Sequence, residues 1–548
     1  MTQGIDIMVS KYYWWVIFIL LGAALFSHLD YLPLNFEEPR RGTVALEMEL
    51  SGNYLTPTIN GEYYYNKPPI YNWFLVVLFK IFGHEDWVLR LPTVISFLLL
   101  GWVNYRLMRK KLGEKVAVLS SLFLITSSDL LFYFSFQGEI DMFYSLIVYL
   151  QIISIIWFFD TKNYQALFLI SYFLAAVGIL TKGLPSIAFQ GITLLAFFIY
   201  HKRYGQLFNL WHFAGLGLFV GIVGCYFWMY GLSGDAVPFM ARLLTESSSR
   251  TVAEASFMNS IGHLFSFPLV LIDVFSPWLI LTPLFLSKTI YEKIKESKWL
   301  GYVLLFFVPN LMLYWISPGT RDRYLYMFIP FATLVFAFVI HQSISTKARL
   351  SNLSNYVMIG LIGLFAVAMI ALPFVHPVST IPSITAICAV LFLLFSICLW
   401  CFYQSETNKL SLFILFIVVI RIGFNFIVLP LRLEEELVDD YELHVDNMLE
   451  IVGEKPLYFQ GKKETSTRQL PFSSATVEYN ELIHYPFHIT YHFEKKRKKI
   501  FEYSDAQRVG DFYFSQKKHY ESLSGEKKIV YEFHSVRRDE NFVLYQFL

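Results

Sequence analysis

About thirteen apolar runs of roughly 17–25 residues dominate this chain, each of a length that crosses a bilayer as a helix. They lie near 12–27, 87–107, 116–134, 142–159, 164–180, 184–200, 208–230, 268–286, 299–316, 324–340, 356–375, 381–402 and 410–429. No soluble globule requires so much apolar surface: 55% of the residues are hydrophobic, 16% are charged and the mean hydropathy is +0.48. The expected class is a polytopic α-helical membrane protein. A net charge of +1 points to no nucleic-acid partner. Cys225, Cys388, Cys398 and Cys401 sit inside apolar runs and read as small hydrophobes, not as disulfides or a metal cluster. The N-terminus has one Lys before its apolar stretch and no small-residue cleavage site, so it reads as a retained first span. The run at 70–83 is too short to cross and is expected to be an interfacial or re-entrant helix on the side of Lys67.

Lys and Arg in short loops set the orientation. Arg109-Lys110-Lys111, His201-Lys202-Arg203, the segment from Lys288 to Lys298, and Lys347 with Arg349 fall in alternate loops, which are expected to be cytoplasmic. The loop after the first span, the 137–141 turn, Thr181-Lys182-Gly183, the 231–267 loop and the 317–323 turn then face outside, and an odd span count puts the C-terminus there too. From Arg432 to Leu548 the composition turns polar, with alternating runs at 456–460, 529–533 and 541–548 that read as half-buried strands. The expected division is a transmembrane domain over 1–431, whose first outer loop covers 28–86, and a small extracytoplasmic α+β domain over 432–548. The basic run Glu494-Lys495-Lys496-Arg497-Lys498-Lys499 reads as a solvated loop, with anionic headgroups as the alternative partner. No internal repeat is visible, which weighs against a secondary transporter.

Charge held beside lipid is costly and marks sites. Nearly all the intramembrane or juxtamembrane charges of interest gather at the expected outer face: Glu37, Glu38, Arg40, Arg41, Lys67, Glu139, Asp141, Lys182, Glu246, Arg250, Arg321 and Arg323. Arg421, inside the last span, stands apart without an evident partner. Carboxylates and cations clustered at one interface suit a reaction on a phosphate-bearing lipid. The cations hold the phosphate while a carboxylate takes a proton from an attacking hydroxyl.

Five motifs run in order along that face. They are Phe36-Glu37-Glu38-Pro39-Arg40 continuing to Lys67-Pro68-Pro69, Glu139-Ile140-Asp141, Leu180-Thr181-Lys182-Gly183, Ser317-Pro318, and Arg323-Tyr324 before Pro330. Over about residues 10–430 this pattern resembles the superfamily of lipid A aminoarabinose transferases and protein O-mannosyltransferases, GT-C glycosyltransferases that use polyprenyl-phosphate sugars. The resemblance implies a GT-C fold and inversion at the anomeric carbon. It implies that Glu37, where the family has an Asp, is the catalytic carboxylate, with Asp141 as second choice. It implies that Arg40 and Lys67 bind the lipid phosphate, with Lys182, Arg250 and Arg323 as further cations and Tyr324 as a phosphate or sugar contact. The aminoarabinose transferase also holds a metal through a Glu before its Lys-Pro-Pro and a later His. Here those positions are Asn66 and Ser247, so no metal or other cofactor is expected.

Bland readings stand beside these. Glu38 caps locally or pairs with Arg41, Lys67 snorkels at the head of an interfacial helix, Asp141 caps a helix, and His263 is a polar loop residue. The reading taken forward is a transferase in the bacterial plasma membrane. It would move a sugar from undecaprenyl phosphate to a lipid A, protein or polysaccharide acceptor on the outer face, with membrane lipids around it. A sugar-lipid flippase and a non-catalytic envelope-assembly protein are the alternatives.

Overall fold

A computed structural model of the protein describes residues 11–34, 37–248, 257–345, 350–405, 409–469, 476–482 and 486–548. α1 (Lys11–Phe26) is followed by a polar excursion made of α2 (Glu37–Ser51), the hairpin β1 (Thr58–Ile59) and β2 (Glu62–Tyr63), and α3 (Ile70–Phe82). Asn60 and Gly61, at φ 56° and 73°, form the two-residue turn that a tight hairpin demands. α3 has 13 residues and ends where the Gly83 N–H caps Phe79 O at 2.8 Å. It is a short helix and not a span, as its length requires.

α4 (Asp86–Leu112), α5 (Glu114–Ile125), α6 (Ile140–Asp160), α7 (Tyr164–Lys182), α8 (Pro185–Tyr200) and α9 (Leu210–Tyr230) build the first half of the bundle. α5 breaks for an identifiable reason. The Thr126 and Ser127 hydroxyls bond back to the Leu122 and Phe123 carbonyls, and Trp278 Nε1 donates to Phe123 O at 2.8 Å. Side chains thus take the Phe123 acceptor that the helix would use, the Ser127 N–H turns to Leu124 O at 3.3 Å instead, and the chain bends by 46° into a short turn over 129–136. α10 (Ala236–Ser248), α11 (Phe257–Val274), α12 (Lys288–Glu296), α13 (Lys298–Trp315), α14 (Ile329–Ser345), α15 (Leu350–Ala371), α16 (Ile384–Gln404) and α17 (Lys409–Glu436) complete it. Pro277, which has no N–H to donate, stands at the 114° bend between α11 and the helical turn at 278–286.

All thirteen apolar runs are helical over most of their length. Among the described residues, eight helices are long and apolar enough to cross a bilayer, or ten if each bent pair is one span. The chain is therefore a multi-pass membrane protein, but thirteen crossings exceed what length and composition establish. α1 and α8 have only 16 residues each. Burial sorts the helices: 78% of the apolar window of α6 is enclosed against 11% of that of α9. α6 is thus central and α9 peripheral, with Trp228 on the rim left for lipid to cover. Arg421, unassigned from sequence, serves the bundle: its Nε donates to Leu131 O at 2.7 Å and its Nη1 to Asn425 Oδ1, and it lies 5.2 Å from the Phe424 ring.

α17 runs unbroken to Glu436 and hands over to α18 (Tyr441–Val452), β3 (Leu457–Phe459), β4 (Lys463–Gln469), β5 (Thr476–Leu482), α19 (Phe487–Arg497), β6 (Phe512–Gln516), α20 (Lys517–Ser522), β7 (Lys527–Ser535) and β8 (Glu540–Phe547). Sheet order is β3–β6–β8–β7, with β3 parallel to β6 and the other pairs antiparallel. The three alternating runs fall on β3, β7 and β8. The basic run is not a solvated loop. Its Lys495, Lys496 and Arg497 close α19, where cations oppose the helix dipole. Lys495 meets Asp86 at 2.9 Å and Lys496 meets Glu442 at 3.1 Å. α19 is two-sided: Ile489 and Phe493 join the core of the sheet, while Phe487 and Tyr491 join that of the bundle beside α2.

Candidate active site

Several element ends converge on one point. The first turn of α2 places Glu37, Arg40 and Arg41 three and four positions apart, on one side. Glu37 pairs with Arg40 and lies 3.6 Å from Arg41. Asn66 and Lys67 precede Pro68-Pro69, whose fixed φ angles stiffen the entry to α3. Glu139 is the N-cap residue of α6, Asp141 sits in its first turn, and Lys182 is the last residue of α7. Arg321 caps, and Arg323 and Tyr324 open, the turn leading into α14. All of these line one cavity of about 180 Å³.

Seven of the eight residues singled out from sequence meet there: Glu37, Arg40, Lys67, Asp141, Lys182, Arg323 and Tyr324. Arg250 lies outside the described residues. Lys182 pairs with Asp141, and its ammonium is 4.6 Å from the centre of the Tyr324 ring and 5.3 Å from that of Tyr144. Arg323 donates to Glu139 at 3.1 Å. Six cations face three carboxylates across the cavity. Arg41 Nε and Nη1 and Arg323 Nε are buried with no acceptor among the described residues. Buried donors left unpaired carry a desolvation cost that an incoming anion would relieve. Burial would raise the Glu37 carboxyl, but the Arg41 and Arg40 charges outweigh it and hold it below its ordinary value, so it is ionised at neutral pH. Glu139 moves the other way, pushed up by burial and by the Asp141 charge. Lys67, Lys182 and Tyr324 also border a second cavity of about 250 Å³, walled by Leu184, Pro185, Ala188, Leu243, Leu313 and Met327 among others. The charged chamber therefore continues into an apolar trough.

Glu38 corrects one sequence reading. It does not pair with Arg41; it takes Arg90 Nε and Nη2 at 2.8 and 3.0 Å and the Gly138 N–H at 2.6 Å, and is 1% exposed. The signal was Arg90 just inside an apolar span, where an arginine needs a partner. Gly138 has to be glycine, since a Cβ there would lie 2.6 Å from Leu89 O. Glu139, Arg41 and Arg321 belong to the chamber too, though sequence placed them only on the same face. His263 is on α11, with Nε2 3.1 Å from Tyr314 O, and not in a loop. A divalent metal does not fit the donors at position 66. Asn66 offers a neutral amide, and the three carboxylates of the chamber already face cations. The Ser247 side chain lies outside what is described.

Residues 66–230 match the family model described as dolichyl-phosphate-mannose-protein mannosyltransferase. The chain superposes on the crystal structure of ArnT from Cupriavidus metallidurans bound to undecaprenyl phosphate with a TM-score of 0.67 at 17% identity, covering 98% of each chain. The apo form of that protein gives 0.65. The fold is that of the GT-C glycosyltransferases. Among curated relatives, an undecaprenyl phosphate-alpha-4-amino-4-deoxy-L-arabinose arabinosyl transferase of Pseudomonas fluorescens is 25% identical over 57% of this chain and 53% of its own. One from Proteus mirabilis is 24% identical over 61% and 62%. The matched region thus spans just over half the length of these relatives.

Proposed function

We propose that this GT-C protein is an integral-membrane glycosyltransferase that moves a sugar from a polyprenyl phosphate, undecaprenyl phosphate in a bacterium, to a lipid A, protein or polysaccharide acceptor. The observation that carries this reading is the junction at Lys67, Lys182 and Tyr324, where a cation-rich chamber meets an apolar trough. A phosphate on an isoprenoid tail has that same polarity. The acceptor oxygen attacks the anomeric carbon, the bond from that carbon to the phosphate oxygen breaks, and the phosphate leaves with the electron pair. Arg40, Lys67, Lys182 and Arg323 take up the charge that develops, and the buried N–H groups of Arg41 gain an acceptor. Ionised Glu37 receives the acceptor's proton. Asp141 holds Lys182 in place and is the second choice as base. Attack opposite the departing phosphate inverts the sugar.

The site is assigned to the outer face of the plasma membrane, with the basic loops cytoplasmic, residues 1–431 forming the catalytic transmembrane domain and residues 432–548 outside. The test pairs transfer with donor-lipid binding on one preparation. Glu37→Gln should cut transfer about 10²–10⁴-fold and leave lipid binding near wild type. Lys67→Ala should weaken both, by roughly 1.5–3 kcal/mol for a charge-assisted contact. Wild-type transfer by both Glu37→Gln and Asp141→Asn would reject the mechanism.

A further inference from the structure

α2 carries the chamber at its N-terminal end and a second, sealed carboxyl toward its C-terminal end. Glu47 is fully buried. Its Oε2 accepts from Thr58 Oγ1 at 2.5 Å and from the Gly61 N–H at 3.2 Å. Across from it lies Glu494 of α19, also fully buried, whose Oε1 accepts the Phe501 N–H at 3.0 Å. The remaining oxygens, Glu47 Oε1 and Glu494 Oε2, are buried with no other donor among the described residues, and the two carboxyls are hydrogen-bonding neighbours. A proton carried by one of them turns that carboxyl into the donor the other lacks.

The groups facing the pair are the Thr58 hydroxyl and the amides of Asn60 and Gly61 from the hairpin, and the Phe501 amide behind α19. The cations on α19 are engaged elsewhere: Lys495 with Asp86, Lys496 with Glu442 and Asp446, and Arg497 with the carbonyls of Gly453 and Lys455. The rest of the contact is fixed. Asn60 Nδ2 donates to Phe501 O at 2.7 Å, and Tyr503 N–H donates to Asn60 O at 2.8 Å. Phe487 of α19 lies 5.5 Å beneath the Arg40 guanidinium, linking this contact directly to the chamber.

We propose that Glu47 and Glu494 share a proton, and that this pair is a positioning lock that seats the C-terminal domain on α2 and so holds Arg40 and Glu37 in the chamber. Its activity readout rests on the glycosyl-transfer reading; its structural readout does not. Burial pushes both carboxyls up, and the Glu47 charge pushes Glu494 up further. In the unfolded chain both ionise in the ordinary carboxylate range, so the folded protein holds extra protons above it. The lock is therefore strongest in mild acid and is lost as pH rises through the raised folded values.

The experiment uses the full-length protein in lipid nanodiscs, titrated from mildly acidic to alkaline pH. Infrared difference spectra should show the loss of a protonated-carboxyl C=O band in wild type, and that loss should be absent in Glu47→Gln and in Glu494→Gln. Transfer by wild type should fall about tenfold across the limb, the change one pKa unit of differential interaction supplies. Glu494→Gln, whose amide donates to Glu47 permanently, should keep its transfer there. Bands and profiles identical in wild type and both variants would overturn the lock. The infrared result without any sugar transfer would leave the lock standing and remove the transferase reading instead.

Discussion

Glu37 and Glu38 are neighbours on α2 and live in opposite surroundings. Glu38 is sealed: it is 1% exposed, held bidentately by Arg90, and tied to the 137–139 turn through the Gly138 N–H. Glu37 keeps about a fifth of its side-chain surface, and Arg41 beside it retains N–H groups with no acceptor among the described residues. Both are ion-paired carboxylates, so pairing alone does not mark a site. What separates them is the remainder. Around Glu38 the hydrogen bonds close on themselves, as a structural clamp requires. Around Glu37 the donors exceed the acceptors, and the excess faces a cavity. One face of α2 holds the helix in the molecule, and the other offers it to a ligand.

The strongest attempt to break that contrast is Glu38→Ala. Leaving Arg90 as a buried, uncompensated charge should cost about 3–5 kcal/mol, seen as a large fall in thermal unfolding temperature of the detergent-solubilised protein. A variant as stable as wild type would mean that Glu38 is no clamp. Gly42→Ala probes the same back face more gently. An added Cβ would come within 2.6 Å of the Tyr491 ring, which is fully buried and whose hydroxyl donates to His84 O at 3.0 Å. Overpacking should cost roughly 1–3 kcal/mol and loosen α19 from α2, visible as faster hydrogen exchange in α19; unchanged exchange would show that the contact yields freely. The smallest effect sharpens the open face. Glu37 is held below the ordinary glutamate value, so its basic form survives as pH falls and the acid limb of transfer should lie below the ordinary range. Arg41→Gln removes the largest of the charges responsible and should move that limb upward. An unmoved limb would assign the titration to another group.

The apolar runs were legible because a bilayer rewards nothing but length and hydropathy, and each became helix. Their number as crossings was less legible, since α1 and α8 are short and the 116–134 and 268–286 runs bend. The bend after α5 depends on Trp278, some 150 residues on, reaching the Phe123 carbonyl. No local pattern announces that. The chamber was legible to an unusual degree because charge beside lipid is too costly to be incidental, so Glu37, Arg40, Lys67, Asp141, Lys182 and Arg323 stood out before any geometry was known. Arg90 escaped because a single arginine inside an apolar run says that a partner exists, not which one it is.

Sequence by itself determined that this chain is a multi-pass helical membrane protein, that the charges singled out for a site gather at one end of its helices, and that a small sheet follows the last of them. Those are consequences of hydropathy and periodicity, which act locally. Only the tertiary structure decided which carboxylate is sealed and which is open, that the basic run of α19 is spent on Asp86 and Glu442, and that Glu47 and Glu494, 447 residues apart, face each other with no cation paired to either among the described residues. Burial and pairing belong to the packed molecule, because a carboxyl's environment is set by whatever the fold brings against it and not by its neighbours in the chain.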